Sequence, residues 1–241
     1  MSFKLIISAI CDIGCKKPKN EDMVLLQKDV FRDGERHIVL NAEDRILIAV
    51  ADGVGGLNKG EVASEQVLLA LGSFLFDIPD DLSVDELHDV FDTYAHKTHC
   101  SLSGDMGSTL VGLFLYQGKL FRYHAGDSRI YRLRNDILER LTVDHSLRES
   151  GGDPAAPPNI ITNAIGGGTS VFIDFAEIED PLMNNDVYLL SSDGMHDLVS
   201  YKEILSELRK PKAAEILTNL AKGNGGMDNI SVITINVKQN P

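Results

Sequence analysis

TLVGLFLYQGKLFRYHAGDSRIYRLRNDILERL, residues 109–141, decides the fold. Apolar, β-branched and aromatic residues fill four short runs, and Gln117-Gly118 and Asn135-Asp136 interrupt them as turn formers. The spacing predicts strands over 109–116, 119–125, 129–134 and 137–141. Strands joined by two-residue turns pair antiparallel, because a parallel crossover needs a dozen residues or more. Upstream, strands are expected at 3–11, 23–28, 37–40 and 45–51. Two helices follow, over 61–76 and 84–101, the second opened by a capping box of Ser83 and Glu86. Downstream, strands at 171–178 and 186–191 precede a helical region over 201–222 and a last strand over 230–237. Blocks of strands separated by paired helices predict an α+β fold, with antiparallel sheets packed together and helices outside, not a doubly wound βαβ sheet.

With 241 residues, 43% of them hydrophobic, the chain suits a single domain over 1–241. The stretch 146–163 breaks the regularity: Gly151, Gly152, Pro154, Pro157 and Pro158 crowd it, so it reads as a short, flap-like loop. A net charge of −13, from 36 acidic and 23 basic residues without a basic stripe, argues against a nucleic-acid partner. No apolar run approaches the ~20 residues of a membrane span. Three cysteines, an odd number, argue against a disulfide framework and for a reducing, cytoplasmic setting. None has an arginine six residues on, as a cysteine-based phosphatase loop requires, and Cys11 and Cys15 are expected to pack at the end of the first strand.

The chemistry lies in the acids. Asn20-Glu21-Asp22, Asp52-Gly53-Val54-Gly55-Gly56, Gly126-Asp127-Ser128-Arg129, Ser192-Asp193-Gly194 and Met227-Asp228-Asn229 each pair carboxylates with small or turn-forming residues, mostly after strand-like runs. Sheet ends can aim several such groups at one point. Two carboxylates ~4 Å apart repel by about 4 kcal/mol at an effective dielectric of 20, so a cation must hold them. Oxygen-only ligands favour Mg2+ or Mn2+. Asp52-Gly-Val-Gly-Gly is neither a Walker loop nor a dinucleotide fingerprint: Glu61, not Lys-Ser/Thr, follows Gly60, and Asn58 replaces the third glycine.

Taken in order, Asp12-Ile13-Gly14, Lys17, Asn20-Glu21-Asp22, Val50 to Gly56, Gly60 to Ser64, Gly107 to Leu110, Ala125 to Arg129, Thr142 to Ser146, Ser191 to Gly194 and Asp228 to Val232 resemble the motifs of the bacterial branch of the protein phosphatase 2C family. These are metal-dependent serine/threonine phosphatases. The likeness runs from residue 12 to 232. It implies a central sandwich of two antiparallel β-sheets flanked by α-helices, a four-layer αββα arrangement with metals in a cleft at one end. It also implies roles: Asp52, helped by the Gly53 carbonyl, bridges two metals; Asp193 and Asp228 complete one; Glu21 and Asp22 serve the other; Asp127 holds a third. Asn229 would orient Asp228 or a metal-bound water. The expected reaction is in-line hydrolysis of phosphoserine or phosphothreonine by a water bridging two divalent ions. The implied partners are phosphorylated proteins and a cognate Ser/Thr protein kinase.

Two positions depart from the family pattern. Lys17 stands where an arginine usually grips the substrate phosphate, and lysine supplies charge without the planar fork. The other reading of Lys17 is a solvated loop charge beside Lys16 and Lys19. Val54 stands where eukaryotic members carry a histidine, which leaves the general acid unassigned; His145, beside the loop, is a candidate for that role or for anchoring the loop. The alternatives are a catalytically silent phosphatase-like binding module and a phosphatase of an anti-sigma-type regulator.

Overall fold

A computed structural model describes residues 2–54, 59–102, 106–150, 152–157 and 160–240. Gly55 and Gly56 of the glycine-rich turn, and Gly151 and Pro158 of the loop, lie outside them.

One sheet contains β1 (Phe3–Asp12), β4 (Gly34–Asn41), β9 (Arg129–Arg134), β10 (Ile137–Arg140), β13 (Val187–Ser191) and β14 (Ile230–Gln239), in the order β10-β9-β13-β14-β1-β4. The other contains β2 (Asp22–Leu26), β3 (Asp29–Phe31), β5 (Ile46–Asp52), β7 (Leu110–Tyr116), β8 (Lys119–Ala125) and β12 (Asp174–Glu177), in the order β12-β8-β7-β5-β2-β3. The pairings in both are antiparallel. The hairpin turns fall where the sequence predicts them: Gln117 and Gly118, and Asn135 and Asp136, all have positive φ, the pairing that matches strand twist.

The layers follow from the two-residue period of the strands. On β5, Ile46, Ile48 and Val50 face the other sheet, where they meet Ile7, Leu190 and Ile233. Leu47, Ala49 and Ala51 face outward and are covered by α1 (Gly60–Phe76) and α2 (Val84–Ser101) through Val67, Leu71, Phe91 and Tyr94. On the far side, Leu189 and Val232 meet Ile204, Leu208 and Leu217 of the α4–α5 region, α4 being Tyr201–Glu207 and α5 Ala213–Gly223. The order helix, sheet, sheet, helix is the expected αββα sandwich. With both faces of the inner strands buried, their sequences read as continuous apolar runs.

Three expectations need correction. The helical region over 201–222 is two helices, because Pro211 cannot continue α4 and Lys212 turns left-handed at φ 61°. The strand expected over 171–178 is limited to 174–177. Asp193 does not end a strand: β13 stops at Ser191, and Asp193 opens the one-turn helix α3 (Asp193–His196). The capping box at Ser83 is present, with the Glu86 carboxylate accepting from Ser83 N–H at 2.8 Å and Ser83 Oγ accepting from Glu86 N–H at 3.3 Å.

Candidate active site

At one end of the sandwich, Lys17, Asp52, Gly53, Val54, Thr109, Asp127, Ile161, Asp193 and Asp228 line a cleft of about 140 Å³. Four predicted carboxylates therefore converge from four separate parts of the chain. Asp52 is the last residue of β5 and lies opposite Asp22 of β2 in register. Its backbone is pinned to the strand beside it: Thr109 N–H donates to Asp52 O at 2.8 Å, and Asp52 N–H donates to Thr109 Oγ1 at 3.1 Å. Gly53 bridges to Ser108 and packs against the start of α1 so closely that a Cβ there would meet Gly60 backbone atoms at 2.5 Å. Gly194 plays the same part for Asp193, since a Cβ would lie 1.9 Å from Asn229 O.

Asp22 lies behind Asp52 and is fully buried; its Oδ2 accepts from Ser192 Oγ at 2.7 Å. Glu21 does not line the cleft: its carboxylate sits over Gly60, where an added Cβ would meet Oε1 at 2.8 Å. Asn229 is the clamp joining these parts. Its Oδ1 accepts from Glu21 N–H at 2.8 Å, and its Nδ2 donates at 2.9 Å to both Ile13 O and Lys19 O. Partners that orient ligands in this way typically contribute 10–100-fold to metal affinity. Asn229→Ala is accordingly expected to raise the Mn2+ concentration for half-maximal binding by about that factor, as read by calorimetric titration.

The electrostatics require a cation. Burial, then Asp127 and Asp228, push Asp193 up to about 8. Burial raises Asp22 to about 6, and burial followed by Asp144 raises Asp127 to about 6. Asp52 is held well above the usual carboxylate range by burial and by Asp22, Asp193, Asp127 and Asp228. Among the described residues, Asp22 Oδ1 and Asp193 Oδ1 are buried without any hydrogen-bond partner. Orphaned oxygens within an oxygen-only set fit hard divalent ions such as Mg2+ or Mn2+.

Among the described residues, Lys17 is the one cation lining this cleft, half-buried, with Nζ 2.7 Å from Asp228 Oδ1. Burial alone would lower its pKa, but Asp228, Asp52 and Glu21 outweigh that and raise it. It is not a solvated loop charge like its neighbours Lys16 and Lys19.

His145 does not fit a general acid. It is buried, stacked on His124 at 4.4 Å, and burial followed by His124 lowers its pKa to about 4, so it is neutral where an acid would be needed. Its Nδ1 accepts from Asn163 Nδ2 at 2.8 Å and Gly126 N–H at 3.3 Å, and its own N–H donates to Gly126 O at 2.9 Å. It thus brackets the glycine before Asp127 and anchors the return of the loop, where Thr162 N–H donates to His145 O at 2.7 Å. His124, His145 and Asp174 cluster, but they do not make a metal centre. The network assigns the His145 proton to Nε2, Asp174 is paired with Arg122 at 2.9 Å, and no neutral imidazole lone pair is left on His145.

Sequence reasoning gave no role to Thr109, Ser192 or Arg129. Arg129 grips Asp144 through three contacts of 2.6–3.2 Å and fixes the turn that carries Asp127. Their only signal was a place next to a carboxylate motif. Cys15, expected to pack with Cys11, is exposed. Cys11 is buried, and burial followed by Asp22 pushes its thiol up to about 12.

No family model matches the chain. It is 31% identical over 261 residues to the protein phosphatase PhpP of Streptococcus pneumoniae, an alignment covering 97% of this chain and 98% of that protein. The serine/threonine phosphatase of S. agalactiae superposes with a TM-score of 0.79 at 27% identity, over 96% of this chain and 99% of that one. The catalytic domain of the phosphatase PstP, solved with two manganese ions, superposes with a TM-score of 0.75 at 30% identity, over 98% of this chain and 100% of that one.

Proposed function

The chain belongs to the protein phosphatase 2C family of metal-dependent serine/threonine phosphatases, and from that premise we propose that it hydrolyses phosphoserine and phosphothreonine in proteins. The observation that carries this reading is the convergence of Asp52, Asp127, Asp193 and Asp228 on one cleft that also holds a lysine. A silent binding module would have no need to keep so costly a set of acids together.

Asp52, Asp193 and Asp228, with the Gly53 carbonyl, would hold one pair of divalent ions, with Glu21 and Asp22 in support and Asp127 holding a third ion. When bound, the ions supply an activated water as nucleophile and neutralise charge on the phosphoryl oxygens. The chain does the rest. Thr109 and Ser108 fix the backbone of Asp52, and Asn229 ties the residue 13–21 segment to Asp228. Ser192, itself held by Ser231 N–H at 2.9 Å, keeps Asp22 aimed forward. Lys17 supplies a positive charge to the phosphate. A charge-assisted contact contributes roughly 1.5–3 kcal/mol. Lys17→Ala is expected to raise KM for an aryl phosphate by about tenfold or more with little change in kcat. Lys17→Arg is expected to lower KM, because the planar fork matches phosphate.

The whole chain, residues 1–241, acts as a single phosphatase domain, and 146–163 is a flap at the cleft, to which Ile161 contributes a side chain. The opposing enzyme is a Ser/Thr protein kinase, since only such a reaction supplies the substrate. Three unpaired cysteines support a cytoplasmic setting, and among the described residues no helix is long and apolar enough to cross a membrane. Hydrolysis of phosphoserine and phosphothreonine peptides in Mn2+, stopped by chelation and restored by Mn2+, tests the reading. Turnover that survives chelation, or none with Mn2+ or Mg2+ added, would sink it.

A further inference from the structure

Helix α2 carries a run of exposed metal-ligating residue types. Leu87, Phe91, Tyr94, Ala95 and Thr98 are buried, whereas His88, Asp92, His96 and Cys100 are exposed. These four recur every fourth residue, so each neighbours the next on the helix surface, along a line that drifts about 40° per step from the flank beside Phe175 at His88 to the outer face at His96 and Cys100. Each is a donor for metals, and neighbouring pairs are already in reach: His88 Nδ1 lies 3.4 Å from Asp92 Oδ2, and His96 Nε2 lies 3.8 Å from Cys100 Sγ.

We propose that His96 and Cys100 form a surface site for a divalent transition-metal ion of the zinc class, separate from the catalytic cleft. Zinc binds thiolate at ~2.3 Å and imidazole at ~2.0–2.1 Å, and a tetrahedral angle between them places sulfur and nitrogen about 3.6 Å apart. The observed 3.8 Å needs an adjustment of only a few tenths of an ångström, which two exposed side chains on one helix can make. Water fills the remaining positions, and Asp92 stands one turn away from His96. A thiolate and an imidazole select soft and borderline ions, whereas the cleft, with carboxylate and carbonyl oxygens alone, selects hard ones. The two sites therefore take different metals from the same solution. The position gives an ion here a structural consequence. His99, beside Cys100, accepts from Gly166 N–H at 3.0 Å. Gly166 pairs with Gly107, whose carbonyl accepts from Val54 N–H of the cleft at 2.9 Å. Bridging residues 96 and 100 would thus staple the helical turn that meets this edge of the cleft.

Cobalt(II) separates this site from the catalytic one, since only a thiolate ligand gives a near-ultraviolet sulfur-to-cobalt charge-transfer band. The reduced, full-length protein, first saturated with Mg2+, is titrated with Co2+. The expected result is a band that saturates near one equivalent, is lost in Cys100→Ser, and persists in Cys15→Ser, which removes the other exposed thiol. His96→Ala should move half-saturation at least about tenfold higher, because a chelate becomes a single ligand. Absence of the band, its survival in Cys100→Ser, or an unchanged midpoint in His96→Ala would overturn the proposal and leave an ordinary S–H···N contact. These variants lie on the exposed face of α2, so circular dichroism should show an intact fold in each.

Discussion

Asp52→Asn is expected to lower Mn2+-dependent turnover by about 10³-fold or more while raising the melting temperature of the metal-free protein. The two effects have one cause. Asp52 sits where burial and four other carboxylates all oppose its charge. Asparagine keeps the shape and the backbone contacts with Thr109, but removes the charge that would bind the ions. Loss of one well-placed electrostatic group commonly costs 10²–10³-fold, and a residue shared between two ions should exceed that. Without metal the same change removes the cost of either ionising Asp52 among these neighbours or holding it protonated, on the order of 1 kcal/mol or more. Each kcal/mol corresponds to about 2–4 °C in a chain of this size. Activity assays and thermal melts of one preparation check both arms. Activity close to wild type would remove Asp52 from the metal site. Lost activity together with a lower metal-free melting temperature would make it a structural residue instead.

The sequence was most legible where local physics acts alone. The strands 119–125 and 129–134 end where expected because turn residues with positive φ bound them. The start of α2 was readable from Ser83 and Glu86 because a capping box is complete within four residues. Two- and three-residue strands such as β3, or the pairing of Gly107 with Gly166, have no period to detect and went unread. The aspartates were visible as a set, but their aim was not. Asp193 reads as the end of a strand, yet it opens a helical turn whose entry depends on Gly194 fitting against Asn229. Lys17 could not be told from Lys16 and Lys19, because its orientation depends on a loop tied by Asn229, more than 200 residues away. His145 reads in sequence as an acid or an anchor of the loop, and what leaves only the anchor, its neutrality, comes from burial and from His124 stacked on it, neither of which is local in sequence. Long-range packing decided each of these.

Between pH 7 and 8.5 the metal-free protein is expected to lose stability as pH rises, and saturating Mg2+ is expected to abolish that loss. The sign follows from which state binds more protons. Asp193, raised to about 8 from an ordinary 3.8, keeps its proton in the folded state long after the unfolded chain has released it, and Asp52 is raised in the same direction. A carboxylate raised on folding adds stability that is complete below pH ~4 and disappears as pH climbs through the folded value. The buried histidines act oppositely at lower pH. His145, His124 and His196 are all lowered by burial, so their contribution grows as pH rises to ~6.5 and is flat above it. Asp22 and Asp127, near 6, have released most of their protons by pH 7. Cys11, held at about 12, begins to matter only near pH 9, where an unfolded thiol ionises. The window from 7 to 8.5 therefore isolates Asp193, with Asp52 raised in the same direction. One proton of difference is worth about 1.4 kcal/mol per pH unit, and Asp193 releases most of its proton across this interval. A fall of about 1.3 kcal/mol, or roughly 3–5 °C, is therefore expected from Asp193, with Asp52 adding to it. Divalent ions need the ionised carboxylates and bind the folded state alone, so the rise in melting temperature on adding Mg2+ should grow across the same interval. A metal-free melting temperature that rises from pH 7 to 8.5, or a Mg2+ increment that shrinks, would mean that these acids do not form one mutually repelling cluster.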